Sequence, residues 1–460
     1  MASPLLNTPV EIMDMILSHL SSDDLRAICL INKHLRALAE PFLYSIIEFI
    51  WSRNQTPTII PLLRSLLRRP LLASFVRNLV LLGDDFETSL HHYRREVPKL
   101  PVAEMDLEEF AESIRETNVP YGDSWIQKLQ AGEMDAFVAL LLSRLPNMRG
   151  LYLGPNFTAK NQLVGPMFHS ALCEDRKCRL PSFNHLRDVS SVYFTLGIDY
   201  RRFVTYRNTQ DVLPLFYLPS VERISTLIDN PINFTWPAGN LPNPSGLKSL
   251  ELLMIREGNL GQVLSVTTGL EKLAWEWYYR DDLMDHFVTD TFDFDLIAAD
   301  LSHVRNTLTH LTISAFTDMA RADPEFPRIY MKGNLHPFSQ LHMLKDLKVP
   351  LPFVMGFSPA AWDTRHRTGA LPKGLEYLTL TDDLYLQEEW EWEDADLLEA
   401  LRLWLESWKI STPHLRRLHF LSEHMAHGEW GPDMRQQLRD FGAKAGLQAE
   451  MIKLTGEMPP

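Results

Sequence analysis

The sequence predicts an α/β fold, with a small three-helix domain at residues 1–50 followed at residues 51–460 by an irregular solenoid of strand–helix units with long loop insertions. Three observations predict it. A strand-like spelling recurs beyond residue 50, apolar helical segments fall between its copies, and the first fifty residues hold three helix starts in succession. At 460 residues the chain exceeds one ordinary core, and a repeat array grows without enlarging any single core.

The first helix start is Thr8-Pro9-Val10-Glu11. Thr8 is expected to cap, Pro9 to take the first helical position and Glu11 to close a capping box. Ile12, Met15, Ile16, His19 and Leu20 then recur at helical spacing, which predicts an amphipathic helix ending near Leu20. Ser21-Ser22 starts a second helix. Its first turn holds Asp23 and Asp24, favourable at the positive end of the dipole, and its apolar positions are Leu25, Ile28, Cys29 and Leu30. Asn32 caps a third helix that brings Leu35, Leu38, Ala39 and Phe42 together, with Pro41 limiting its length. So small a bundle cannot bury all this apolar surface by itself, which implies a partner, either another protein or the domain that follows.

In order, Pro9-x-Glu11-Ile12, Ile16, Leu20, Asp24-Leu25, Leu30, Lys33, Leu35 and Ala39-x-Pro41-x-Leu43-Tyr44 resemble the F-box motif along nearly its full length. The departure is Thr8-Pro9, where the motif usually opens Leu-Pro. The resemblance implies docking on the adaptor subunit of an SCF-type ubiquitin ligase and, through it, on cullin. Pro9, Ile12, Ile16, Leu20, Leu25 and Leu30 would then form the contact or the helices that present it.

Beyond residue 50 the recurring spelling is L-x-x-L-x-L, a short strand whose alternate side chains point inward. Copies are Val76-x-x-Leu79-x-Leu81, Met148-x-x-Leu151-x-Leu153, Leu247-x-x-Leu250-x-Leu252, Leu270-x-x-Leu273-x-Trp275, Leu308-x-x-Leu311-x-Ile313, Leu344-x-x-Leu347-x-Val349, Leu375-x-x-Leu378-x-Leu380 and Leu415-x-x-Leu418-x-Phe420. Weaker ones lie at Leu186-x-x-Val189 and Val221-x-x-Ile224. Helical patterns at Met134 to Leu145, Phe294 to Val304 and Leu397 to Trp408 fall between them. Most of residues 76–421 resembles leucine-rich repeats of the long, irregular kind. Only Leu153-Gly154-Pro155-Asn156 supplies the asparagine expected three positions after the last leucine, so a continuous asparagine ladder is not expected. Leu90 to Pro120, Asn156 to Pro181 and Ala315 to Pro337 read as loop insertions.

Composition narrows the function classes. Hydrophobic residues make up 45% and charged residues 23%, and no apolar run is long enough to span a bilayer. The N-terminus lacks a basic segment before its first apolar run and carries Glu11 and Asp14, unlike a secretory signal. Three cysteines, Cys29, Cys173 and Cys178, suit a reducing compartment, so a cytoplasmic or nuclear location is expected. A formal charge of -14 argues against nucleic acid as a partner.

Phosphate-loop, metalloprotease, nucleophile-elbow and dinucleotide-binding motifs are absent from the sequence, and no cofactor is expected. His169, Cys173, Cys178 and His185 are soft ligands at poor spacing, and His414, His419, His424 and His427 read as ordinary repeat or surface histidines, so no metal site is expected. Two aromatic-acidic tracts are candidate partner-binding sites. Trp275, Trp277 and Tyr278 lie in the first, and Trp390 and Trp392 in the second. The plainer reading divides them between strand core and a solvated loop. Lys272, Ala274 and Glu276; His310, Thr312 and Ser314; Tyr377, Thr379 and Thr381; and Arg417, His419 and Leu421 are the outward strand positions, whose mixed chemistry suits recognition of a protein surface. The reading is a non-catalytic substrate-recognition subunit of an SCF-type ligase, with the F-box on the adaptor subunit and the repeats on an unknown target protein. The alternative is a ligase-independent interaction scaffold.

Overall fold

The structure is a computed structural model that describes residues 8–52, 54–83, 98–158, 162–174, 178–191, 209–280, 288–318, 328–362, 371–422 and 431–453. The chain divides into two compact units, Met1–Ser225 with Trp236–Pro244, and Thr226–Thr235 with Ser245–Pro460.

The first unit opens with three helices, α1 (Val10–Ser18), α2 (Ser22–Ile31) and α3 (Lys33–Leu43). Pro9 has extended ψ of 143° and takes the cap position, so α1 starts at Val10, one residue later than expected, with the Ile12 and Met13 amides donating to the Pro9 carbonyl. The Ser21 hydroxyl accepts from the Asp24 amide at 3.1 Å, and Asn32 Oδ1 accepts from Leu35 N at 2.9 Å. Each bond satisfies an amide that the helix itself leaves open. Pro41 is accommodated inside the last turn of α3. Met13, Leu17, Leu25, Leu35 and Ala39 form a small core of their own, with Leu20, Ile28, Leu38 and Phe42 packed against it.

The chain continues through β1 (Ile46–Ile50), α4 (Ile59–Arg68), α5 (Pro70–Phe75), β2 (Asn78–Leu82), α6 (Glu108–Glu116), α7 (Gly122–Gln130), α8 (Met134–Leu142), β3 (Gly150–Leu153), α9 (Pro155–Thr158), α10 (Val164–Leu172), β4 (Asp188–Ser190), α11 (Thr209–Val212) and β5 (Arg223–Leu227). Strands β1 to β5 pair in sequence order, all parallel. The array therefore begins at β1, inside the first fifty residues. The expected insertions at 90–120 and 156–181 hold α6 and α10, whose Phe110, Ala111, Ile114, Met167 and Phe168 are buried. Helix α8 is buried all round, Asp135 included. The Asp135 carboxylate accepts amides of Gln162 and Leu163 at 2.9 and 2.8 Å, ahead of α10, and burial pushes it up to about 7.

The second unit runs β6 (Ser249–Leu253), α12 (Glu257–Leu264), β7 (Lys272–Arg280), β8 (Thr291–Asp293), α13 (Phe294–Leu301), β9 (His310–Asp318), β10 (Tyr330–Lys332), β11 (Asp346–Pro350), α14 (Leu351–Met355), β12 (Tyr377–Thr381), α15 (Asp394–Ser411), β13 (Arg417–Ser422), α16 (Pro432–Ala445) and β14 (Gln448–Lys453). Strands β6, β7, β9, β11, β12, β13 and β14 pair in that order, all parallel, while β8 and β10 form a separate parallel pair.

In both units every apolar position of the L-x-x-L-x-L copies is buried, because the first leucine packs beneath the turn into the strand and the others share the strand's inward parity. The residue after that first leucine has a second job. Its carbonyl accepts two consecutive amides from the next repeat: Glu271 and Lys272 on Lys248 O, Lys345 and Asp346 on Thr309 O, Arg416 and Arg417 on Glu376 O. Successive turns are thereby fixed side by side. Asn156 reaches back to the Trp51 carbonyl through Nδ2 at 2.7 Å, and Asn230 reaches forward to Met254 O at 2.8 Å while accepting Arg256 N at 2.7 Å. A second asparagine of this kind was not expected from the strand spelling.

Candidate functional site

Helix α1 is apolar on two faces. Met13 and Leu17 point into the small helical core, and Leu20 packs against it. Ile12, Met15 and Ile16 emerge on the outside, with Ile16 43% exposed, and α2 ends in Leu30, 87% exposed, and Ile31. Pro9 is also exposed. Periodicity placed Ile12, Met15 and Ile16 on the packed face; the packed set is shifted by one residue, since hydrophobic residues at 12, 13, 15, 16 and 17 satisfy either face equally. Among the candidate adaptor contacts, Pro9, Ile12, Ile16 and Leu30 are therefore surface residues, Leu20 is half-buried, and Leu25 belongs to the core of the bundle, where it supports the others. Large apolar side chains grouped on an exposed face are a feature that interaction surfaces share.

The aromatic tract on β7 is a different matter. Trp275, Trp277 and Tyr278 are buried and present no surface. Strand β7 runs nine residues and pairs with β9 along its whole length, from Lys272↔His310 to Arg280↔Asp318, while its pairing with β6 stops at Trp275. Trp275 Nε1 donates to Ile255 O at 2.7 Å, Trp277 lies 5.8 Å from Phe292, and Tyr278 stacks on Phe316 at 5.9 Å. Arg256 closes this cluster. It is fully buried, lies 4.4 Å over the Trp277 ring, grips both oxygens of Glu257 at 2.8 and 2.9 Å, and donates to the carbonyls of Tyr278, Thr289 and Thr291. These residues hold the segment leading into β8 and are not contact residues.

The second tract is likewise tied down. Trp392 is buried with its Nε1 donating to Gly356 O at 2.8 Å, and Glu391 N bonds Phe357 O. Trp390 is half-buried, and its indole donates to Trp392 O at 3.2 Å, so only part of that ring is presentable.

Strand parity leaves the open face of the second unit. Register aligns Ser249, Lys272, His310, Asp346, Tyr377, Arg417 and Gln448 in one row across it, and Glu251, Ala274, Thr312, Lys348, Thr379, His419 and Glu450 in the next. Glu276, Thr381 and Leu421, expected on this face, are buried. The Arg417 guanidinium sits 5.5 Å from the centre of the Tyr377 ring. Burial raises Asp346 against the charges around it, and burial lowers His419, opposed by Glu450 and Asp346 and reinforced by Arg417. The face is mixed in charge and studded with hydroxyls, a surface suited to polar contacts with a macromolecule.

Among the described residues, no group of three or more His, Cys, Asp and Glu side chains is arranged to hold a metal ion. His169 Nδ1 lies 3.4 Å from Glu174, Cys178 Sγ contacts Asn118 O, and burial pushes the Cys173 thiol up to about 12, away from the thiolate a metal needs. His424 and His427 lie outside the described residues. No described helix is long and apolar enough to cross a membrane.

A family model described as a leucine-rich repeat domain matches residues 50–454, beginning where α1 to α3 have ended. No curated protein matches the chain.

Proposed function

Because the chain belongs to the leucine-rich repeat family, an architecture of protein–protein interaction, we propose that it is the substrate-recognition subunit of an SCF-type ubiquitin ligase. In this reading α1 to α3 are the F-box, docking on the adaptor subunit and through it on cullin, and the repeats hold a target protein. The observation that carries the reading is the exposed apolar set Ile12, Met15, Ile16, Leu30 and Ile31 on a bundle that already has its own core. A helical face of this kind docks into a groove on its partner. No side chain of the protein would take part in chemistry; ubiquitin transfer would rise because the target is held near the conjugating enzyme. Such a subunit works in the cytoplasm or nucleus.

The test is copurification of the full chain with the adaptor subunit. Ile12→Asp with Ile16→Asp changes only exposed side chains and is expected to abolish capture while the circular-dichroism melt stays within a degree or two of the parent. Unchanged capture, or none by the parent chain, rejects the F-box reading. Adaptor capture without cullin favours a ligase-independent scaffold.

A further inference from the structure

We propose that the leading rim of the second unit, where its strands begin, is a docking strip for an acidic segment of the target protein. This rests on the reading of the repeats as target-binding and names the chemistry of that target. The double-acceptor carbonyls fix successive turns beside one another, and neighbouring strands of a sheet lie ~4.8 Å apart, so side chains at the turns form a closely spaced row. Lys248, Lys345 and Arg416 stand in that row with Glu271 and Glu376, with which they pair at 2.8, 3.6 and 3.3 Å.

Cations remain over. Lys272 at the start of β7, Arg305 in the turn into β9, Lys373 in the turn into β12 and Arg417 at the start of β13 are exposed and make no ion pair among the described residues; Arg417 lies over the Tyr377 ring. The far ends of the strands differ. Four of the described acids there are engaged: Asp293 by Lys332, Glu257 by Arg256, Glu388 by Arg328, Asp382 by the Ser422 hydroxyl. On a chain of formal charge -14, a rim with surplus, unpaired cations is an attractive edge for carboxylates.

The rim also selects among polyanions. Glu271, Asp346 and Glu376 interrupt the cations, so an unbroken phosphate backbone would meet repulsion at each of these carboxylates, whereas a peptide can set single carboxylates against single cations. Tyr377 is the one Phe, Tyr or Trp in the row that runs from Ser249 to Gln448, too few for a base-stacking platform.

The experiment measures fluorescence anisotropy of a labelled Glu-Ser repeat peptide with the full-length chain at low salt. A Gln-Ser peptide, single-stranded DNA and phosphatidylserine vesicles are the comparisons. The Glu-Ser peptide is expected to bind, to weaken with added salt, and to lose about tenfold in affinity in Lys272→Glu/Arg305→Glu/Lys373→Glu, whose circular dichroism matches the parent. Equal binding of the Gln-Ser peptide, an unchanged affinity in the variant, or tighter binding of DNA or vesicles overturns it. Adaptor capture is followed in parallel: loss of peptide binding with capture intact rejects the rim alone, and peptide binding without capture rejects the ligase assignment alone.

Discussion

Glu40 on α3 and Arg69 at the start of α5 meet in a two-pronged pair, Nη1 to Oε1 at 2.8 Å and Nη2 to Oε2 at 2.6 Å. Arg36 adds a third bond to the same carboxylate at 2.7 Å. The pair fastens the helical bundle to the first strand–helix unit, with the carboxylate covered and both guanidinium groups half in water.

Glu40→Gln keeps the shape and removes the charge. Since solvent screens the exposed guanidinium groups, the expected loss is about 1 kcal/mol in urea unfolding at pH 7. The Arg69 hydrogen bonds hold the Glu40 carboxyl below the usual range. Its stabilisation is thus fully present above the ordinary Glu range and lost as pH falls through the depressed native value. The gap between parent and variant should be flat from neutral to mildly acid pH and close in strong acid. A gap that widens on acidification contradicts this assignment.

Helices α12 and α13 meet at Gly261 and Asp300, where a methyl group on residue 261 would meet Asp300 Oδ1. In an open helix Gly→Ala gains roughly 1 kcal/mol. Here Gly261→Ala is expected to cost about 1–3 kcal/mol, the usual range for overpacking. Asp300→Ala in the same chain should restore most of that loss. Thermal unfolding of the two single variants and the double variant measures the coupling; additive effects would mean that the helices part without contact.

Asp300 carries a pH dependence of its own. Burial, then the nearby charge of Glu257, pushes its carboxyl up to about 7, and Oδ2 is buried without a hydrogen-bond partner. An acid whose native value is raised costs nothing where both states are protonated. The cost grows as pH rises from the unfolded value near 3.8 and is complete above about 7. Asp300→Asn should therefore stabilise the chain by ~1–3 kcal/mol at pH 8 and by little at pH 4, read from urea midpoints across that range. A gain independent of pH would assign the effect to packing.

The strand spelling gave the repeat cores residue by residue, because alternation allows leucines two apart in a strand only one shared side. Its limits are equally physical. Strands β1 and β14 escaped because Ile46 to Ile50 adjoins a helix pattern and Leu447-x-Ala449-x-Met451 carries too little bulk to stand out. The outward face of α1 was ambiguous because apolar residues surround it. Trp275, Trp277 and Tyr278 read as candidate contacts in the sequence because their cover comes from elsewhere in it: Phe292 from β8, Phe316 from β9 and the Arg256 clamp. Asn230 lay beyond a weak copy of the motif, and only the bonds to Met254 and Arg256 reveal it.

Arg256 and Glu257 form an ion pair with almost no contact with water, and such a pair is more sensitive to losing one member than to losing both. Arg256→Met strands the Glu257 carboxylate and frees the carbonyls of Thr289 and Thr291, at an expected cost of about 3–5 kcal/mol. Arg256→Met/Glu257→Leu should recover a large part. The near-ultraviolet circular-dichroism difference between the chain and its Trp277→Phe variant isolates the Trp277 ring; the same difference with and without Arg256→Met would show that the guanidinium does not order it.

Trp390 and Trp392 are two residues apart, yet they should answer differently to the same substitution. Trp392 is buried and anchored to Gly356 O, so Trp392→Ala removes a filled volume and a hydrogen bond and is expected to cost about 3–5 kcal/mol. Trp392→Phe keeps most of the volume and loses the bond, for about 1 kcal/mol. Trp390 is half-buried, and Trp390→Ala should stay under about 1.5 kcal/mol. Urea unfolding of the three variants provides the ranking. Were Trp390→Ala as damaging as Trp392→Ala, both indoles would be part of the core and no portion of the tract would remain to meet a partner.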